Sequence, residues 1–170
     1  GLIDQFAVSH GVARHALYFD TRSLEWQPIP LPPDAIMVVA DSGVKRELAT
    51  SAYNQRQQEC QLAVKYLQQK DPSIKSLRDV SLAVFQKYEN FLPLAAAKRA
   101  RHVIEEINRV QKAAVLLVNE DAKGFGALMV EGHRSLQNLF EVSCRELDFL
   151  VEQAMNLPGC LGARLTGAGF

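Results

Sequence analysis

Four places in the chain carry residues able to do chemistry. The first is Gly1-Leu-Ile-Asp4-Gln5, a carboxylate directly behind an apolar pair. Spacing alone reads Asp4 as a helix N-cap or a surface charge. The second is Asp41-Ser-Gly-Val-Lys-Arg46, leading into Ala49-Thr-Ser-Ala-Tyr53-Asn-Gln-Arg56. A strand that ends in a small-residue turn at the mouth of a helix is a common ligand position, and Tyr53 would offer a hydroxyl and an aromatic face there. On residue type alone a tyrosine at the edge of the core is the stronger reading. The third is Arg99-Ala-Arg101-His102 with His133. Neither histidine stands at metal-ligand spacing to a carboxylate pair, and a lone histidine on a helix is usually a satisfied structural residue. The fourth is Gly162-Ala-Arg-Leu-Thr166-Gly167-Ala168-Gly169-Phe170, a glycine-rich turn whose backbone N–H groups can crowd toward an anion. It lacks the Gly-Lys-Ser/Thr ending of a P-loop.

The elements that must position these residues follow from periodicity. The first 45 residues alternate in a strand-like way. His15 to Asp20 and Ser23 to Pro28 predict a hairpin, followed after Pro28, Pro30, Pro32 and Pro33 by a buried strand over Ala35 to Ala40. From about Lys45 the period changes, and Leu48, Ala49, Ala52, Tyr53, Cys60, Ala63, Val64 and Leu67 form one face of a helix that Asp71-Pro72 ends. A longer helix follows Pro93 and runs to about Asn119, with an apolar stripe from Ala97 through Ile104 to Leu117. Asp121 predicts the N-cap of the next helix, and Arg145 to Met155 supply another before the break at Pro158-Gly159. Leu161 to Leu165 can start a strand that enters the glycine-rich turn. Strands first and helices after, without regular alternation, indicate an α+β fold.

Composition narrows the partners. Nineteen Lys and Arg against 19 Asp and Glu leave a formal charge of zero, with no basic field for nucleic acid or an anionic membrane. Residues 98–112 carry mainly basic side chains and 139–153 mainly acidic ones, which predicts two solvated helical faces that complement each other. Cys60, Cys144 and Cys160 are too far apart for a disulfide framework or a paired zinc spacing and read as reduced thiols of a cytoplasmic protein. No apolar run approaches the roughly 18 residues that cross a bilayer. The start at Gly1 and the end on Gly-Ala-Gly-Phe read as a piece of a longer chain.

Taken in order, the segments resemble the galactokinases of the GHMP small-molecule kinase superfamily. Gly1-Leu-Ile-Asp-Gln-Phe is similar to the family's G-[ILM]-x-D-Q-F, and Ser42-Gly-Val-Lys-Arg-Glu-Leu-Ala and Ser51-Ala-Tyr-Asn-Gln-Arg to its segment before and into the sugar-contacting helix. Arg99-Ala-Arg-His-Val, Met129-Val-Glu-Gly-His-Arg-Ser-Leu, Glu141-Val-Ser-Cys-Arg-Glu-Leu-Asp and Gly162-Ala-Arg-Leu-Thr-Gly-Ala-Gly-Phe follow in family order.

The resemblance implies part of a two-domain kinase. Residues 1–33 would be the remnant of its N-terminal domain and 34–170 most of a helix-rich, ferredoxin-like C-terminal domain. It implies transfer of a phosphoryl group from ATP, with magnesium, to the anomeric hydroxyl of galactose by a monomeric cytoplasmic enzyme without nucleic-acid or membrane partners. Asp4 would then be the catalytic aspartate, Gly1, Asp4 and Tyr53 would contact the sugar, and Thr166, Gly167, Ala168 and Gly169 would form the third-motif loop that supports nucleotide binding. The family's Glu-His-x-Asp-Tyr motif and serine-rich phosphate loop would lie upstream, so no metal ligand is expected within the chain and the isolated piece would be inactive. A kinase for N-acetylgalactosamine or arabinose, and a galactose- and ATP-binding transcriptional sensor, share the same motifs. Ala52 where glutamate is common, Gln57-Gln58 where two arginines are common, and Gln137-Asn138 where Arg-Asp is common are departures from the family pattern.

Overall fold

The computed structural model describes residues 2–44 and 49–169, with only the backbone at 49–51. It opens on helix α1, Leu2–His10, where the alternating pattern predicts strand. Phe6 and His10 are four apart and therefore share a helical face. Their rings stack at 4.1 Å, and Phe6 stacks in turn on Phe19 at 3.9 Å. Both meet Trp26 edge-on, at 5.9 Å and 5.4 Å. A strand would also put both rings on one face but about 13 Å apart, whereas a helix sets them about one turn apart, close enough to stack, and so the local alternation yields to this aromatic packing.

The predicted hairpin forms. Strands β1 (His15–Phe19) and β2 (Trp26–Pro30) pair antiparallel, with His15 opposite Pro30 and Phe19 opposite Trp26. Between them the Asp20 carboxylate accepts from the Arg22 and Ser23 amides, which closes the turn. Ile29 is the buried residue of β2.

The buried strand predicted over residues 35–40 is absent. The segment is unpaired, and Ile36 and Val39 are 86% and 85% exposed. A strand exists only against a neighbouring backbone, and the sheet among the described residues contains β1 and β2 alone.

The helical body consists of α2 (Ala49–Gln68), α3 (Leu82–Tyr88), α4 (Leu94–Val118), α5 (Ala122–Ser135) and α6 (Arg145–Met155). Short 3₁₀ turns at Leu77–Asp79 and Glu89–Phe91 flank α3, and a π-helical turn, Leu136–Phe140, continues α5. Pro93 precedes the first residue of α4, where a missing N–H costs nothing within the helix. Asp121 caps α5 by accepting from the Gly124 amide at 2.8 Å, as its position predicts. Ser81 caps α3 in the same way through Val84.

The main core lies between α2 and α4. Ala63, Ala96 and Ala100 are fully buried there, and their small side chains let the two helices approach closely while Leu67, Ile74, Phe85 and Ile104 fill the remaining space. The hairpin is tied to this body by ion pairs of Arg22 with Asp79, at 2.7 Å, and of Arg78 with Asp20. Helix-rich and mixed, the architecture agrees with the α+β expectation. No helix among the described residues is long and apolar enough to cross a membrane.

Candidate active site

Asp4 lies in the first turn of α1 and is exposed. The aromatic stack of Phe6 and His10 on Phe19 and Trp26 fixes this helix on the hairpin, so the carboxylate rides on a rigid support even though α1 has no buried residue of its own. Gly1 and residues 45–48 lie outside the described residues. Tyr53 stands in the second turn of α2 and is 58% exposed, which removes it from the core-edge role that residue type alone favours. Ahead of it, Asp41 accepts from the Gly43 amide at 2.9 Å and shapes the small-residue turn.

The C-terminal segment forms no strand and pairs with none, contrary to the strand predicted over 161–165. Its backbone instead crosses α5. A Cβ placed on Gly162 would lie 2.1 Å from the Gly126 carbonyl oxygen, and one placed on Gly126 would lie 2.1 Å from that of Leu161. Two glycines at the crossing are what permits the contact. Beyond it, Arg164 pairs with Glu106 of α4 at 2.8 Å, and Arg109 joins the same carboxylate at 2.8 Å. Burial works to raise the Glu106 pKa, but the two arginines outweigh it and hold the carboxyl below its usual range. Leu165 is buried against Leu136 and Val142, and its amide donates to His133 Nδ1 at 3.3 Å. Gly169 is buried against the Val142 carbonyl. Between these two anchors Thr166, Gly167 and Ala168 are exposed.

Asp4, Tyr53 and the glycine-rich loop thus sit on three separate elements. None of them lines either of two surface clefts beside α6. One is walled by Gln137, Ser143, Arg145, Asp148 and Phe149 among others, and the second by Asp41, Ser42, Arg145, Glu146 and Phe149. Among the described residues no group of three or more His, Cys, Asp or Glu is arranged to hold a metal ion.

Among the described residues the two charged stretches form ion pairs only at Glu141, which Lys98 and Arg99 hold, while Arg101 pairs with Glu89 and Arg109 with Glu106, and Arg99 is no solvated side chain. Arg99 is 3% exposed and donates to Glu59 of α2 and to Glu141, each at 2.7 Å, and to the Leu139 carbonyl. Arg56 donates to the carbonyls of Phe140 and Glu141, at 2.6 Å and 2.9 Å. Two guanidinium groups thereby satisfy the free carbonyls at the end of the π-helical turn. Glu141 adopts a left-handed backbone, φ 55°, and its side chain is held by Arg99 and by Lys98 at 2.7 Å. Hydrogen bonds from Arg99 and then Lys98 lower its pKa to about 2. His102 and His133 are both buried, as the structural reading of a lone helical histidine predicts. His102 contacts the Ser135 hydroxyl at 2.8 Å, and burial pushes its pKa down to about 4. Sequence reasoning missed the link of His133 to Leu165 and Asp148, because no local spacing announces a contact between two helices and a distant loop.

Residues 113–170 match the family of GHMP kinases, C terminal, the stretch that holds α5, α6 and the closing glycine-rich loop. The curated proteins to which the whole chain is similar are galactokinases. Over 170 residues it is 48% identical to the galactokinase of Roseiflexus sp. (strain RS-1) and 44% identical to that of Chloroflexus aurantiacus, covering 44% of each. The Homo sapiens galactokinase is 42% identical over 171 aligned positions, of which the chain covers 42% of that protein. The chain therefore spans less than half the length of the curated relatives it matches. Among solved structures, Lactococcus lactis galactokinase complexed with galactose superposes with a TM-score of 0.88 at 34% identity, covering all of this chain and 44% of the other.

Proposed function

We propose that the protein containing this chain is a galactokinase, which joins the γ-phosphoryl group of ATP to the anomeric hydroxyl of galactose and releases galactose 1-phosphate and ADP. The observation that carries this reading is identity of 48% to a galactokinase sustained over the whole chain, and likeness to a galactose-bound relative at a TM-score of 0.88 supports it. In this reading residues 1–33 end the N-terminal domain and 34–170 form most of the C-terminal one. The protein acts as a cytoplasmic monomer.

Asp4 is the catalytic residue of the proposal. The new bond joins the sugar oxygen to phosphorus as the bond to the bridging oxygen of ADP breaks, and the hydroxyl proton passes to a carboxylate. Phosphoryl transfer has a loose transition state and needs mainly positioning and charge neutralisation. A carboxylate is a weak base for a sugar hydroxyl, so Asp4 acts by orienting that hydroxyl and taking its proton late. Gly1 and Tyr53 contact the same sugar, and Thr166 to Gly169 support the nucleotide. Magnesium would accompany the nucleotide, but the described residues of this chain offer no ligand set for it.

The test is ADP release by the full-length protein with ATP and each of galactose, N-acetylgalactosamine and arabinose. Turnover fastest with galactose is expected. Silence with every sugar overturns the reading, and preference for one of the other two corrects the substrate.

A further inference from the structure

We propose that His133 is a positioning residue for the glycine-rich loop, and that the lone pair on its Nδ1 sets the affinity of the protein for ATP. The proposal rests on the nucleotide-supporting role given to that loop above.

His133 lies in the last turn of α5 and is 4% exposed. Its Nδ1 is 3.3 Å from the Leu165 amide nitrogen, and its Nε2 is 3.3 Å from Asp148 Oδ1 on α6. A backbone N–H can only donate, so Nδ1 must accept and the ring proton must sit on Nε2, directed at the carboxylate. Asp148 is itself held from the other side, by the Ser143 hydroxyl at 2.5 Å and the Gln137 side-chain amide at 2.7 Å. Side chains from the π-helical turn, the segment before α6, α6 and α5 therefore converge on one tautomer of one ring. The chain of bonds ends on the last buried amide before Thr166.

The loop beyond is an arch with both feet fixed. Leu165 is buried and tethered to His133, Gly169 is buried against Val142, and the three residues between them are exposed. An arch three residues wide has little freedom while both feet hold. Releasing the Leu165 amide leaves that foot held by its buried side chain and by the Arg164–Glu106 pair but no longer pinned at the backbone, and the loop can then present its N–H groups in more arrangements, which weakens nucleotide binding without touching the sugar side.

Two substitutions in the full-length protein separate the ring's two nitrogens. His133→Asn keeps an acceptor at the position of Nδ1 but cannot reach Asp148. His133→Gln keeps a donor toward Asp148 but leaves the Leu165 amide without an acceptor. His133→Gln is expected to raise the KM for ATP by about tenfold, the worth of one lost hydrogen bond, with KM for galactose within about twofold of wild type. His133→Asn is expected to keep both constants within about threefold, whatever stability the two variants lose in common. A KM for ATP that is unchanged in His133→Gln, or raised equally in both variants, overturns the proposal. Hydrogen exchange over residues 161–169 reads the tether independently of catalysis, and faster exchange is expected in His133→Gln than in His133→Asn. If the wild type phosphorylates no sugar, the galactokinase reading falls, while equal exchange in the two variants would still refute the tether.

Discussion

Arg99 donates to two carboxylates and a carbonyl from a position 3% exposed to solvent. Lysine could not serve all three, because its ammonium is a compact charge without the planar fork of guanidinium. Replacing Arg99 by methionine preserves the stem but leaves Glu59 and Glu141 facing each other without the cation between them. Loss of about 3 kcal/mol of stability is expected, at the lower end of what a broken buried pair costs because Glu141 is itself half-exposed. A urea-unfolding midpoint unchanged in Arg99→Met would show that the network contributes nothing. Asp4 poses the opposite case, an exposed side chain whose proposed value is chemical. Asp4→Asn in the full-length protein should retain galactose binding within about threefold and lose at least about a hundredfold in turnover, the lower range of a general acid–base contribution. Unchanged turnover with galactose would remove Asp4 from the reaction.

At the scale of elements, the crossing of the C-terminal segment over α5 tolerates no side chain. Gly126→Ala would place a methyl group 2.1 Å from the Leu161 carbonyl oxygen, and that oxygen belongs to the backbone and cannot swing aside. Destabilisation of roughly 1–3 kcal/mol is expected from such overpacking, together with faster hydrogen exchange over residues 161–169. Ala127→Ser, one position along on the exposed face, should stay within about 0.5 kcal/mol of wild type. Equal midpoints for the two variants would mean that the crossing yields easily. Helices α4, α5 and α6 were legible in the sequence because stripe, cap and breaker are all local, as Pro93, Asp121 and Pro158 illustrate. The runs at 35–40 and 161–165 have strand-like composition but no neighbouring backbone, and pairing is the part of a strand that its own residues do not encode. In α1, the rings of Phe6 and His10 find partners in Phe19 and Trp26, well along the chain. Of the candidate site, Asp4, Tyr53 and the glycine-rich loop are nominated by the family resemblance of their motifs, and the structure places them on three separate elements. The supports of the loop were not legible, since His133 and Leu165 meet only where the C-terminal segment crosses back over α5.

Across the whole molecule, acid stability follows from groups whose folded environments reject a proton. Burial lowers the pKa of His102 from 6.5 to about 4, and burial also lowers that of His133 against the pull of Asp148. A histidine lowered in this way binds more protons unfolded than folded between the two values. Stability is therefore full above about pH 6.5 and falls as the pH drops toward 4, with His102 responsible for about 3 kcal/mol. The carboxylates act lower on the scale. Asp20 is held below its usual range by Arg78 and by the turn amides, Asp79 by Arg22, and Glu141 at about 2 by Arg99 and Lys98. Their contribution is complete above the ordinary carboxylate values and is lost only as the pH falls below about 4.5. Two phases are thus expected in a plot of unfolding midpoint against pH, and His102→Asn isolates the first. Asparagine can still hydrogen-bond the Ser135 hydroxyl and has no proton to take up, so the variant should lose most of the slope between pH 6.5 and 4 while keeping the steeper fall below it. Identical slopes for wild type and His102→Asn in that window would remove His102 from the acid response and leave it to His133 and the carboxylates.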